Sequence, residues 1–228
     1  MRIVTLTKAE QVRQAILLQI LSGELQPGQR LLEAHLSKDL GVSQATVNGA
    51  LQDLHNQGLV TKLLNRSTNV SRYTRREIEN LFAVRLVLEP AAAAAVSSAW
   101  STEAQSRLQE HVDLMRQAAH KKDLAKFCLA DYQFHQEIYR LTANSFLIQA
   151  CQAIAAAPFA YILCDHLEAL PTDYVALAED HQILIRAMEE GPQTALQMTR
   201  ERIEDWLRHS LRALEPVAAL TPQDVVAT

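Results

Sequence analysis

Asp131 and His135 stand four residues apart, and His181 follows on a later helical stretch. Residues at i and i+4 share one face of a helix. A carboxylate oxygen and an imidazole nitrogen at that spacing can therefore converge. A second imidazole brought opposite them makes a two-histidine, one-carboxylate donor set suited to a divalent transition metal: zinc, nickel, iron or manganese. The same side chains can equally form a hydrogen-bonded polar pocket with no ion. An enzyme using such a set needs an accompanying acid, base or cofactor motif, and the chain offers none, so no catalysis is expected.

A second stretch, Ser43 to Leu51, carries side chains suited to facing another molecule. Ser43 can cap a helix in which Val47, Ala50, Leu51 and Leu54 point inward while Gln44, Ala45, Asn48 and Gly49 point outward. Leu40-Gly41-Val42 precedes it and Gly58-Leu59-Val60 with a polar ribbon follows, the layout of a helix-turn-helix that continues into a wing. Gln44 and Asn48 can each read adenine through a paired donor and acceptor. Ser43 and Thr46 belong to the same DNA-facing turn, and Arg30, Lys38, Lys62 and Arg66 are the expected phosphate partners. The alternative for Gln44 and Asn48 is plain solvation on a helix surface.

The elements that must position these groups follow from periodicity. Apolar residues at Val12, Ile16, Leu17 and Ile20 predict a helix over 9–22 with Thr7 as its cap, broken by Gly23 to Gly28. Leu32, Leu36 and Leu40 predict a second helix over 31–40, ending at Gly41. Thr61 to Val70 reads as two short strands around Asn65-Arg66-Ser67. Beyond Arg76 every periodic segment is helical: 77–100, a capped restart at Ser101 leading into 108–119, then 124–141, 146–164, 176–190 and 193–214. The fold class is mostly α, an N-terminal winged helix-turn-helix plus a C-terminal all-helical bundle. Residues 1–72 form the DNA-binding domain, 73–76 a linker, 77–214 a helical domain, which the family resemblance given below implies to be the effector-binding and dimerisation domain, and 215–228 a flexible tail.

Composition agrees with this division. Of 228 residues, 48% are hydrophobic and 21% charged, enough apolar surface to build two cores. Through Arg72 there are eight Lys and Arg against five Asp and Glu, a balance of +3; beyond it 14 stand against 21, a balance of −7. A basic head suits phosphates. Cys128, Cys151 and Cys164 are an odd, scattered set, read as buried small hydrophobes and not as a disulfide or zinc framework. No signal-peptide core and no apolar run of roughly 18 residues is evident, so the expected location is the cytoplasm, without membrane contact.

The ordered motifs resemble those of GntR transcription regulators, in the FadR-like branch with a helical FCD effector domain. In the head they are Gly23-x-Leu25-x-Pro27-Gly28-x-Arg30-Leu31, Leu40-Gly41-Val42-Ser43, Ala50-Leu51-x-x-Leu54 and Gly58-Leu59-Val60. In the body they are Arg85-x-x-x-Glu89, Asp131-x-x-Phe134-His135, Asn144, Asp180-His181-x-x-Leu184, Ala187 and Gly191. The resemblance implies a homodimer that binds a double-stranded DNA operator, with a small carboxylate effector received near Arg85, Asp131, His135 and His181. Arg85 could pair with the effector carboxylate or, instead, with Glu89.

Two departures from the family pattern matter. Gln44 and Asn48 stand where the family carries DNA-contacting arginines, and Ala34 and Ser67 where it often has arginine and glycine. Ile203 stands where metal-binding members supply a further histidine, and His209 falls on another face of the helix. The expected function is a metabolite-responsive regulator, with or without a metal. The alternative is a metabolite- or metal-binding protein whose specific DNA contact is weakened or lost.

Overall fold

The computed structural model describes residues 7–62, 67–154 and 173–213. Helix α1 (Lys8–Leu21) opens on a capping box in which the Thr7 side chain accepts from the Glu10 amide and Glu10 returns a bond to the cap. Its inner face is Val12, Ile16, Leu17, Ile20 and Leu21. Strand β1 (Arg30–Leu31) leads into α2 (Glu33–Asp39). The turn between α2 and α3 places Gly41 at φ +64°, a left-handed conformation that a side chain resists. Helix α3 (Gln44–Asn56) follows with Ser43 accepting from the Thr46 amide, and buries Val47, Ala50, Leu51 and Leu54 as the sequence predicts.

Strands β2 (Val60–Lys62) and β3 (Thr68–Val70) pair antiparallel, and β1 joins the other edge of β3 with Arg30 opposite Asn69 and Leu31 opposite Thr68. The wing is thus a three-stranded sheet, order β1-β3-β2, where the sequence predicts two strands. This corrects the expected helix over 31–40. The leucine spacing is helical, but Leu31 serves the sheet and is buried, Leu32 takes an extended backbone at 40% exposure, and only Leu36 faces the core from inside the helix. Arg66 lies outside the described residues.

The body begins at α4 (Arg75–Ser98), two residues inside the expected linker, because Thr74 and Glu77 form a second capping box. Then come α5 (Thr102–His120), α6 (Leu124–Leu141), α7 (Ser145–Ile154), α8 (Tyr174–Glu190) and α9 (Pro192–Ala213). Asn144 caps α7 by accepting from the Phe146 and Leu147 amides. Residues 155–164 of the helix expected over 146–164, with Cys164, lie outside the described residues, as do the His209 side chain and the expected tail from 215; Cys128 and Cys151 are buried, as the sequence predicts. Among described elements α4 packs chiefly on α9, α5 on α6 and α8, and α8 on α9.

Helix α4 is long and apolar enough to cross a bilayer by length and composition, contrary to the sequence reading, yet 44% of its apolar window is buried inside the fold. Its alanines, Ala92 and Ala93 among them, permit close helix packing. Helix α6 is buried on nearly every side, with Phe127, Ala130, Asp131, Tyr132, Phe134, His135, Ile138 and Tyr139 all inside. It also touches the head, where α1 rests against it and the positive charge of Arg13 acts on the Tyr132 phenol.

Leu54, fully buried on α3, anchors the recognition helix to the head's core. Leu54→Ala should destabilise the head by about 2–5 kcal/mol, the usual cost of emptying a core leucine site. Urea unfolding reads this directly, and an unchanged midpoint would contradict the packing described.

Candidate functional site

Helices α6 and α8 bring Asp131, His135 and His181 together, with one donor atom from each lying within 4.8 Å of the others and all three side chains buried. His181 Nε2 stands 2.8 Å from Asp131 Oδ1, and His135 Nε2 stands 3.9 Å from the same oxygen. Phe134 packs edge-on against both imidazoles and fixes their planes. His181 Nδ1 lies 2.8 Å from the Leu177 carbonyl, which can only accept, so Nδ1 carries the hydrogen. Nε2 of a neutral ring then offers a lone pair toward a carboxylate. That meeting is repulsive unless a cation, either a proton or a metal, sits between the two.

Two further observations fit a metal. Asp131 Oδ2 is buried without a hydrogen-bond partner, an electron-rich atom in need of a cation. Glu89 Oε2 stands 3.9 Å from His135 Nδ1, beyond hydrogen-bond distance, and its negative charge favours the hydrogen on that nitrogen, leaving Nε2 for a metal. An ion at about 2.0–2.2 Å from each donor needs the group to close by only a few tenths of an ångström. Ile203, 3% exposed, adds an apolar wall and no fourth ligand.

Behind the triad, Arg85 Nε donates to Glu89 Oε1 at 2.6 Å and Nη2 to Glu89 Oε2 at 3.2 Å. The i, i+4 pair that the sequence allows is present, but both side chains are under 5% exposed, so it is no surface pair of a few tenths of a kcal/mol. Removing one member of such a buried pair costs about 3–5 kcal/mol, since the other charge is stranded. The Arg85 guanidinium also stacks over Phe82, 4.7 Å from its centroid.

Burial alone would raise the pKa of Glu89, but the charges of Arg85 and His135 and the hydrogen bonds from Arg85 bring it below its ordinary value. Asp131 behaves likewise: burial raises it, and the His181 hydrogen bond with the neighbouring charges of His181, His135 and Arg85 overcomes that. Burial lowers the His135 pKa, offset only in part by Asp131 and Glu89. Burial, then Glu89, pushes the Tyr139 phenol well above its usual range.

Two of the triad, His135 and His181, line a cavity together with Arg85, Glu89, Leu184, Thr199, Arg202, Ile203 and Trp206. Its free space of about 20 Å³ suffices for one water-sized guest. Thr199, Arg202 and Trp206 come from α9 and carry no sequence signal beyond ordinary helical positions.

In the head, a groove of about 690 Å³ between α2, α3 and the wing gathers Arg30, Glu33, Asn48 and Lys62. Gln44 is exposed at the start of α3, and Lys38 is exposed on α2. Ser43 and Thr46 partner one another at 2.8 Å between hydroxyl oxygens. Asn48 Nδ2 donates to Glu33 Oε1 at 2.7 Å, and Lys62 Nζ donates to Gln52 Oε1 at 2.7 Å. Glu33 was not among the expected contacts; its position at the start of α2 gives no hint that the turn carries it to Asn48.

The bacterial gntR-family regulatory domain matches residues 8–70, and the FCD domain matches residues 80–205, more than half of the chain. The chain belongs to the GntR family of transcriptional regulators. A probable D-xylose utilization operon transcriptional repressor of Paenarthrobacter nicotinovorans is 26% identical over 218 residues, 96% of this chain and 92% of that protein. The gluconate operon transcriptional repressor of Bacillus licheniformis is 24% identical over 175 residues, 75% and 72% of the two. McbR/YncC of E. coli superposes with a TM-score of 0.75 at 20% identity, covering 92% of this chain and all (100%) of that one. A GntR regulator from Rhodococcus sp. RHA1 gives 0.74 at 23% identity, covering 91% and 99%. These families and relatives are transcriptional regulators and not enzymes.

For this GntR regulator, acid stability should report the buried histidine. The native His135 pKa lies below the ordinary 6.5, so the unfolded chain takes up the proton first and stability falls as pH drops through about 6.5. Asp131 and Glu89, held below their ordinary 3.8 and 4.5, add a further loss only at lower pH. Urea midpoints of chelator-treated protein at about pH 7.5 and about pH 5.5 should differ, and His135→Gln should flatten that limb. An equal slope in the variant would remove His135 as its source.

Proposed function

We propose that this protein is a metabolite-responsive regulator whose winged head binds an operator and whose helical body receives a small anionic effector beside a divalent metal. The observation that carries the reading is the His181 Nε2 to Asp131 Oδ1 contact of 2.8 Å, with Nδ1 already committed to Leu177. A donor set arranged for a cation, sealed in the body of a DNA-binding family member, is a sensor's construction. Asp131, His135 and His181 would hold the metal, with Ile203 supplying no ligand from α9. The ion supplies an electrophilic anchor for an effector oxygen. Sugar and gluconate operons in the relatives' names support a sugar acid or similar small carboxylate as the effector class.

The head reads bases with Gln44 and Asn48 and holds phosphates with Arg30, Lys38, Lys62 and Arg66, with Ser43 and Thr46 at the entry of the helix. Two copies are required to present two heads to paired half-sites. Val84 and Val87, 44% and 67% exposed on α4, offer an apolar face for the second copy. Residues 1–72 and 77–214 act as the two domains, and the work is cytoplasmic because the operator is there. A ligand moves the heads only if it binds one arrangement better than the other.

A second reading keeps the sensing body but leaves the head without specific contact. The Glu33 carboxylate favours it: it places negative charge in the groove and occupies the amide of Asn48.

Elemental analysis of protein purified without chelator or nickel resin should find about one transition-metal ion per chain, lost in Asp131→Ala. Stoichiometric absence would remove the metal. Anisotropy with DNA from upstream of its own gene should show a complex tighter than random duplex, with Gln44→Ala weakening it by roughly 1–3 kcal/mol. Equal affinity for random duplex would decide for the second reading.

A further inference from the structure

The cavity beside the triad has two guanidinium groups on its wall, and they differ in how firmly they are held. Arg85 makes two bonds to a carboxylate that is itself sealed from water. Turning Arg85 toward a ligand would strand Glu89 as a buried, unpaired charge, a penalty of the same size as breaking a buried pair. Arg202 makes one contact, Nη1 to Asp180 Oδ2 at 3.1 Å, and the Asp180 side chain is 40% exposed. Released, Asp180 returns to water at little cost, since pairs with an exposed partner contribute little. Arg202 itself is only 14% exposed, so its remaining donors act where solvent competes weakly.

The surroundings of Arg202 complete a receptor. Thr199, 8% exposed and three residues earlier on α9, contributes a hydroxyl to the same wall. Leu184, Ile203 and Trp206 supply an apolar and aromatic side. On α9, Ile203 sits immediately after Arg202, so that helix brings a guanidinium, and not an imidazole, to the cavity beside the triad. With space for about one water-sized guest, the cavity admits a metabolite only if its wall moves. The Arg202–Asp180 contact is the part of that wall that opens most cheaply.

We propose that Arg202, and not Arg85, receives the effector's carboxylate, exchanging Asp180 for the ligand while Thr199 donates to it. The ligand class is a short hydroxy acid or sugar acid, with its carboxylate on Arg202 and its carbon chain against Trp206 and Ile203. This rests on the reading of the cavity as the effector site, but not on the presence of a metal.

The test is calorimetric titration of the full chain, zinc-loaded and chelator-treated, with acetate, L-lactate and D-gluconate, using acetamide as the uncharged control. At least one acid should bind and acetamide should not. Arg202→Met should weaken that acid by about tenfold or more, as expected for losing a charge-assisted hydrogen bond, while zinc affinity stays unchanged. Asp180→Asn should bind the acid several-fold tighter, because it removes the internal competitor, an effect that a merely structural arginine would not give. Circular dichroism establishes that each variant folds, and Arg202→Lys, which keeps charge without the fork, should fall between wild type and Arg202→Met. If chelated protein binds the acid and Arg202→Met does not, the proposal stands and the metal reading fails. No binding by any of the three acids, full affinity in Arg202→Met, or weaker binding in Asp180→Asn would each overturn it.

Discussion

The body is organised around the meeting of Asp131 and His181, a carboxylate and an imidazole nitrogen that call for a cation between them. A carboxylate buried to 1% exposure on α6 and an imidazole on α8 meet at 2.8 Å, and the Leu177 carbonyl dictates which nitrogen faces the carboxylate. Every other charge in that layer is arranged around the meeting. Glu89 stands behind His135, Arg85 neutralises Glu89, and Phe82 covers Arg85. An interior of this kind tolerates several ionisable groups only because their charges are nearly balanced in place; remove one and its partner is left in a medium that cannot solvate it.

Much of this was legible before any coordinates. The inner face of α3 and the extent of α6 follow from apolar spacing, because both helices bury one continuous set of side chains. Asp131, His135 and His181 were legible as a set because i, i+4 spacing puts two donors on one face. What stayed hidden is whatever depends on two distant segments meeting. The β1 strand is invisible because two residues carry no periodicity and its identity comes from Thr68 and Asn69 across the sheet. Leu32 misled because a leucine at helical spacing looks the same whether its backbone is coiled or extended. Glu33, Thr199 and Arg202 escaped for the same reason, since each acquires its role only from the helix opposite.

The head presents a chemical trade. Arginines on a recognition helix contribute counterion release, which is strong, long-ranged and indifferent to sequence. Amide side chains contribute little of that and discriminate instead by matching donors and acceptors on base edges. A helix start bearing Gln44 and Asn48, with Asn48 tied to Glu33, therefore has a shallow salt dependence built into it. In the proposed reading its phosphate grip comes from Arg30, Lys38, Lys62 and Arg66 on neighbouring elements, so holding the backbone and reading the bases fall to different parts of the domain.

Helix α1 rests on α6, and Arg13 meets Tyr132, the residue next to Asp131. This has a consequence for anyone who would build hybrid sensors by joining one head to another body. A cut placed in the Ser71 to Thr74 connection looks clean on the chain, but it separates two halves of a buried contact. A foreign head lacking an equivalent of Arg13 would take away the positive charge beside the Tyr132 phenol, and a foreign body shaped differently at Tyr132 would not fit against α1. Interchangeable parts in this architecture are defined by matched surfaces on α1 and α6, and the seam must be redesigned together with the join.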